Sequence, residues 1–121
     1  MLEYAENDYF VSPTGQLLFI LALRPQDNAA VISFWSPDTG PGSKLAVVTT
    51  EELVADLNRQ DSEGNGWQKM VNNPQLGSAL VSRLWEFLQA GEVTLLENPQ
   101  KNAIAFETIF LKATGKQPSQ N

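Results

Sequence analysis

The sequence predicts an α+β fold, in which an antiparallel sheet of five to six strands carries two helices packed mainly on one face. Three observations support this prediction. Segments rich in β-favouring residues alternate with turn residues over positions 1–48, a helical hydrophobic period follows, and no internal repeat is present. With 121 residues and 42% apolar content, the chain is long enough to enclose one hydrophobic core.

The first part of the chain is predicted to form an antiparallel meander of four strands. Turn and loop residues at positions 12–15, 24–28 and 37–44 separate the candidate strands, because they are rich in Pro, Gly, Asn and Asp. Between these turns, Val, Ile, Phe and Leu dominate, as is typical of strands. The predicted strands are residues 9–11, 16–24, 29–36 and 45–48.

Two helices are predicted to follow the meander. Thr49 and, three residues later, Glu52 have the spacing of a capping box, so the first helix should begin directly after Thr49. The second helix should lie between Asn73-Pro74 and Gly91, since Pro is favoured at the first helical position and Gly just beyond the last. Its apolar stripe comprises Leu76, Leu80, Leu84, Phe87 and Leu88.

Residues 103–112 carry two conflicting patterns. Their Ile, Phe and Thr content and their alternation favour a strand, whereas Asn98-Pro99 before them and Gly115 after them also frame a helix. We predict a strand there and another at residues 93–96. Residues 1–113 are expected to form a single domain, and the polar residues 114–121 a disordered tail.

The chain contains no histidine and no cysteine. A general base near neutral pH is most readily a histidine, so neither a Ser-His-Asp nor a Cys-His arrangement can form within the chain. A Cys/His zinc site is excluded in the same way. We therefore expect a non-enzymatic protein without cofactor or metal, in which any chemistry would depend on carboxylates, on Lys, Tyr or Ser nucleophiles, or on oxygen-bound cations.

The charge balance is acidic, with 14 acidic and 8 basic side chains and a net charge of −6. Nucleic-acid binding depends on clustered Lys and Arg, so nucleic acid is not an expected partner. Residues 17–23, the longest apolar run, are too few to cross a bilayer, and the first ten residues lack the basic group of a signal peptide. These features predict a cytoplasmic protein that does not bind membranes.

Asp38-Thr39-Gly40 resembles the active-site triplet of aspartic peptidases, including the small homodimeric retroviral-type enzymes. In that family two such triplets each contribute a carboxylate, and the pair shares a proton while it activates water. The resemblance implies a carboxylate-dependent hydrolase that uses Asp38 across a homodimer. This is the alternative to a binding function.

Residues 61–66 resemble the opening of an EF-hand calcium loop, with Asp61, Asn65 and Gly66 at matching positions. Lys69 and Asn72 occupy the ninth and twelfth positions, so the bidentate glutamate that completes such a site is missing. We interpret the segment as an acidic surface loop.

Acidic residues cluster at Glu3, Glu6 and Asp8 and again between positions 51 and 63. Such a cluster could imitate the charge of a nucleic acid and block a basic protein groove, which is a further alternative function. Solvated helix faces explain the same charges, since Glu51 and Glu52 would lie in a first helical turn, where acids are favoured.

The strands at residues 17–23 and 29–35 are apolar on both pleat faces and therefore need cover on both sides. Two helices can cover one face of the sheet. The other face could be covered within the monomer, by barrel-like curling of the sheet or by residues 1–9. Alternatively, a second subunit of a homodimer or a bound protein could cover it. We predict an acidic, chaperone-like protein-binding module, such as an adaptor, assembly chaperone or inhibitor, that acts through an apolar sheet face or edge. The residues predicted to contact the partner are Leu18, Ile20, Phe34, Trp35 and Trp67.

Overall fold

The computed structural model describes residues 3–39, 44–91 and 99–115, and it has the predicted α+β fold. Its contacts divide the chain into two compact units, Met1–Asn73 and Pro74–Asn121. The first unit contains a five-stranded sheet and one helix, and the second contains two helices. The elements are β1 (Asp8–Val11), β2 (Leu17–Arg24), β3 (Ala29–Trp35), β4 (Lys44–Thr49), α1 (Thr50–Leu57), β5 (Gln68–Asn72), α2 (Pro74–Ala90) and α3 (Pro99–Thr114).

The sheet has the strand order β4-β3-β2-β1-β5, and neighbouring strands pair antiparallel. Its first four strands form the predicted meander, and their ends differ from the predicted ends by at most one residue. A tight turn joins β1 to β2, where the Gly15 N–H donates to the Ser12 carbonyl at 3.1 Å. Gly15 has a φ of +83°, a conformation that favours glycine.

β5 is a strand that the sequence analysis does not predict. Its sequence, Gln-Lys-Met-Val-Asn, contains one β-branched residue and no clear alternation, so local preference gives little signal. Pairing with β1 defines it instead: Tyr9 opposes Val71, and Phe10 opposes Lys69. The register shifts between these two pairs, which makes Met70 the extra residue of a β-bulge.

A buried carboxylate connects β5 to β1. Asp8 is only 2% exposed, and its Oδ1 accepts a hydrogen bond from Asn72 Nδ2 at 2.9 Å. Its Oδ2 accepts from the Ala5 N–H at 2.7 Å and lies 3.3 Å from Lys69 Nζ. Each carboxylate oxygen thus has a partner, the condition under which a charge can be buried at tolerable cost. Asp8 thereby joins the start of the chain, β1 and β5.

α1 begins with the predicted capping box. Thr49 Oγ1 accepts a hydrogen bond from the Glu52 N–H at 3.0 Å, and Glu52 Oε2 accepts from the Thr49 N–H at 3.1 Å. Two backbone donors at the start of the helix are satisfied in this way. The helix then buries Leu53 and Leu57 in a core on one face of the sheet. The buried members of this core are Phe10, Leu18, Ile20, Ala30, Ile32, Leu53 and Leu57.

A second bulge, in β2, changes the predicted alternation of that strand. Ile20 opposes Ile32 on β3, but Ala22 opposes Val31, so Leu21 is the extra residue. Leu23 consequently packs against the same core as Ile20, although strict alternation places it on the opposite face. Residues on both faces of the β2–β3 pair are buried, because Phe19 and Val31, which lie outside this core, are also buried.

The second unit consists of α2 and α3, which contact each other. α2 has the predicted limits: it begins at Pro74, and Gly91 follows with a φ of +73° and an N–H that donates to the Leu88 carbonyl at 3.2 Å. The fold therefore contains three helices among the described residues, one more than predicted.

The strand predicted at residues 103–112 is wrong, because this segment belongs to α3. Ala105, Thr108 and Ile109 are buried at spacings of three and four residues, the period of a helix, whereas the period-two alternation is not matched by burial. The strand predicted at residues 93–96 lies outside the described residues. The same is true of residues 116–121 of the predicted tail. The single domain over residues 1–113 stays a prediction.

We expect Asp8→Asn to lower the free energy of unfolding by about 2 kcal/mol, since hydrogen bonds to charged groups contribute about 1.5–3 kcal/mol each. Lys69 also loses its counter-charge. Urea unfolding followed by tryptophan fluorescence measures the change. Glu63→Gln is the matched control, because it is the same acid-to-amide replacement at an exposed site and should change stability by less than about 0.5 kcal/mol. Equal stability of the two variants would contradict the role given to Asp8.

Candidate functional site

The residues predicted to contact a partner occupy buried and half-buried positions. Leu18 and Ile20 are 2% and 0% exposed and belong to the core beneath α1. Phe34 opposes Leu18 across the β2–β3 pair and is half-buried, while Trp67 is half-buried and packs against the same core. Trp35 alternates to the other face of β3. The fold thus brings four of the five together, and Leu18 and Ile20 leave almost no surface for a partner.

Asp38 lies in the 3-10 helix Pro37–Thr39 and is exposed to solvent. Its backbone N–H donates to Ser36 Oγ at 3.4 Å. Gly40, which completes the peptidase-like triplet, lies outside the described residues. The hydrolase alternative stays a prediction.

The loop that resembles a calcium site is organised by its own hydrogen bonds. Asp61 Oδ1 accepts from the N–H groups of Glu63 and Asn65, both at 2.9 Å, so this carboxylate caps the turn. Gly66 is required by a close approach, because a Cβ there would lie 2.8 Å from the Arg59 carbonyl oxygen. In the part of the chain that the structure describes, no group of three or more acidic side chains is placed to hold a metal ion.

The acidic residues of α1 are engaged in local contacts. Glu52 completes the capping box, and Asp56 Oδ1 lies 3.0 Å from Arg59 Nη2. Glu51 Oε2 accepts a hydrogen bond from Asn28 Nδ2 at 3.0 Å, and this bond is the main reason that the pKa of Glu51 lies below its ordinary value. These contacts give the acidic cluster a structural explanation, and its role as a nucleic-acid mimic stays a prediction.

The second unit carries an open apolar groove with a volume of 460 Å³. We call it the α2–α3 groove. The rings of Trp85 and Phe110, which both line the groove, contact each other edge to face. Their centroids are 5.5 Å apart and the interplanar angle is 72°. Among the described residues that line the groove, the charged one is Glu107. The groove is lined by Trp85, Leu88, Ala103, Phe106, Glu107 and Phe110.

Helical spacing explains how the sequence forms this groove. On α3, Ala103, Phe106 and Phe110 are three and four residues apart and therefore share one side of the helix. Ala105 and Ile109 form a separate, buried stripe of the same helix. A strand at residues 103–112 would place neighbouring side chains on alternate faces, so the strand prediction does not bring the lining residues together. The signal that indicates a helix instead is Pro99 at its start and Gly115 just beyond its end.

No protein-family model, no curated protein and no solved structure matches this chain. None of the helices that the structure describes is long and apolar enough to cross a membrane. The site must therefore be interpreted from its own residues, and the α2–α3 groove is a concave apolar surface that they provide.

We expect Asn28→Gly to raise the pKa of Glu51 toward its ordinary value, because the variant removes the amide that donates to its carboxylate. Glycine tolerates the φ of +49° at this position, so the turn should be preserved. Carboxyl-carbon NMR titrations of both proteins measure the pKa. Gln26→Ala, an exposed change in the same turn, should leave it unaltered.

The sign of the linked stability change follows from the direction of the shift. Because the pKa of Glu51 is lower in the folded state, its stabilising effect is present above the unfolded-state pKa and is lost as the pH falls through the folded-state pKa. The wild type should therefore lose more stability on acidification through this window than Asn28→Gly does. Identical titration curves in the two proteins would show that the Asn28 contact does not hold Glu51 in its charged form.

Proposed function

We propose that this chain is a non-enzymatic protein-binding module that holds an amphipathic helix of a partner protein in the α2–α3 groove. The observation that supports this function is the open apolar surface between Trp85 and Leu88 on α2 and Phe106 and Phe110 on α3. Tryptophan and phenylalanine are enriched at protein interfaces, and Trp is among the residues that contribute most to binding energy. An exposed apolar surface of this kind is typical of an interaction site.

The dimensions of the groove suit side chains presented by a helix. Its volume of 460 Å³ lies within the range of about 300–1,000 Å³ typical of pockets that bind small molecules, so it has room for a few large side chains. Helix-in-groove recognition places apolar residues of the partner, three and four positions apart, against such a surface. The partner segment should therefore present a stripe of large aliphatic or aromatic residues.

Charge favours a partner helix with basic flanks. Glu107 lines the groove, and Glu86 is exposed on α2 between Trp85 and Phe87. The chain as a whole carries a net charge of −6. Opposite charge at the rim of an interface accelerates association and selects the partner, so Lys or Arg should border the apolar stripe of the bound helix.

The lining residues are a poor basis for catalysis. A reaction requires a nucleophile or an acid–base group placed against the substrate. Trp, Leu, Ala and Phe provide neither, and Glu107 is the ionisable group among the described lining residues. An adaptor, an assembly chaperone or an inhibitor needs only the apolar surface itself.

We expect Ala103→Glu to weaken helix binding at least tenfold, because the variant places a charge on the apolar wall of the groove. The probe is a set of 16-residue amphipathic helical peptides, selected on the wild-type protein from a displayed library. Ala103 is exposed, so the variant should remain folded. Ala79→Glu is the matched control, because Ala79 is exposed nine positions before Leu88 and thus lies on the opposite side of α2.

Trp85 provides a direct measurement of where the peptide binds. Its indole N–H resonance should shift on titration of the wild type and of Ala79→Glu, and should shift much less on titration of Ala103→Glu. Failure to select any peptide, or equal affinity for the Ala103→Glu and Ala79→Glu variants, would remove the support for this function.

A further inference from the structure

The loop between α1 and β5 contains an asparagine that is followed directly by a glycine, Asn65-Gly66. In such a pair the backbone nitrogen of the glycine can attack the side-chain amide carbon of the asparagine, because glycine has no Cβ to obstruct the approach. In a folded protein the reaction also depends on whether hydrogen bonds hold these two groups in place. At this site neither group is held.

The attacking nitrogen is that of Gly66, and it donates to no acceptor among the described residues. Gln60 and Gly66 form an antiparallel bridge, and the flanking hydrogen bond that closes it runs from the Asp61 N–H to the Asn65 carbonyl at 2.8 Å. A bridge closed by flanking residues is of the non-hydrogen-bonded kind, in which the two opposing residues exchange no hydrogen bond. The Gly66 N–H therefore points away from Gln60 and takes no part in the turn.

The group that would be attacked is the side-chain amide of Asn65, which is exposed. The contacts of this residue with the rest of the described chain are made by its backbone. Its N–H donates to Asp61 Oδ1 at 2.9 Å, and its carbonyl accepts from the Asp61 N–H. The side chain can thus rotate until its amide carbon meets the Gly66 nitrogen.

Asn58 shows the opposite arrangement, although it is also exposed. Its side-chain amide donates to the Val54 carbonyl at 2.8 Å. The nitrogen that would attack it belongs to Arg59, whose N–H donates to the Asp56 carbonyl at 3.2 Å. Both reacting groups are held there, so Asn58 is a control within the same chain.

We propose that Asn65 is a site of spontaneous covalent modification, at which the chain converts the asparagine to iso-aspartate and aspartate. The Gly66 nitrogen loses its proton to a base in solution and forms a bond to Cγ of Asn65. The bond from Cγ to Nδ2 breaks, and ammonia leaves. Water then opens the resulting succinimide ring.

Two products follow from the two carbonyl carbons of this ring. Cleavage of the bond from the Gly66 nitrogen to the main-chain carbonyl carbon of residue 65 leaves an iso-aspartate, whereas cleavage of its bond to Cγ leaves an aspartate. The net reaction consumes water and releases ammonia in equal amounts. Either product adds a negative charge to the loop.

The iso-aspartyl product should loosen the loop. It inserts a methylene group into the main chain between the N–H and the carbonyl of residue 65, the two groups that bond to Asp61. Gly66 has little room to move in compensation, since a Cβ on it would lie 2.8 Å from the Arg59 carbonyl oxygen. Trp67 follows directly and packs against the core beneath α1, so the change should reach it. The aspartyl product keeps the backbone and adds only an exposed charge, which costs little.

The test is incubation of the folded protein in a mildly alkaline buffer at physiological temperature, followed by peptide mapping with mass spectrometry. Iso-aspartate is counted with an isoaspartyl methyltransferase, and the released ammonia is measured. Residue 65 should react at least tenfold faster than Asn58. Its rate should also lie within about tenfold of its own rate in guanidinium chloride, because the fold leaves its reacting groups unheld. Asn58 should react more slowly in the folded protein than in the denaturant.

Asn65→Gln is the matched control, because it keeps an exposed amide but would have to close a larger, less favourable ring. Modification at residue 65 should fall at least tenfold in this variant. Freshly purified Asn65→Asp carries the added charge on an unaltered backbone. The Trp67 indole N–H resonance should shift in the chromatographically purified iso-aspartyl protein and stay near its wild-type position in Asn65→Asp.

Two results would overturn the proposal. A rate at residue 65 that is no faster than that of Asn58, or more than about tenfold below its unfolded-state rate, would show that the fold protects the site. An iso-aspartyl protein with the same Trp67 resonance as Asn65→Asp would contradict the effect on the loop. Neither measurement involves the α2–α3 groove, so the proposed binding function and this modification can fail separately.

Discussion

The pairing of β2 with β3 is the constraint on which the first unit depends. Ile20 and Ile32 face the core beneath α1, whereas Phe19 and Val31 lie outside that core, and all four are buried. Full burial of one such side chain contributes about 1.5–3 kcal/mol, so the loss of cover on either face would expose several side chains at once. The capping box at Thr49 fixes the start of α1 directly after β4. Leu53 and Leu57 thereby reach the core that β2 and β3 leave open.

The ion pair between Asp8 and Lys69 has two effects that belong together. It attaches β5 to β1, although β5 has little intrinsic preference for a strand. By drawing the ammonium group toward Asp8, it also removes the charge that would discourage another strand from pairing at the outer edge. The ion pair therefore attaches β5 and at the same time holds the charged group of this strand against β1.

The fold could be predicted from the sequence where the determining signals are local. Turn residues separated the meander strands, and the box of Thr49 and Glu52 located the start of α1. β5 escaped prediction because its pairing partner is distant in the chain, and the bulge at Leu21 because it depends on the register with β3. α3 was missed because β-branched and aromatic residues fit either period.

The candidate site follows the same division. The apolar character of β2 on both faces predicts Leu18 and Ile20 as contact residues, but such a strand supplies core on both faces, and these two side chains are buried. The α2–α3 groove depends on α3 being a helix, so an error of period concealed it.

In the proposed binding function, the α2–α3 groove would select among partner helices by side-chain shape, through Trp85 and Phe106. The outer edge of β5 is a different kind of surface, because a strand edge offers backbone donors and acceptors. The bulge at Met70 places Lys69 and Val71 on opposite faces of β5, since their partners Phe10 and Tyr9 are neighbours in β1. The apolar Val71 and the charged Lys69 therefore do not share a face, and β5 lacks the continuous apolar face that the groove provides.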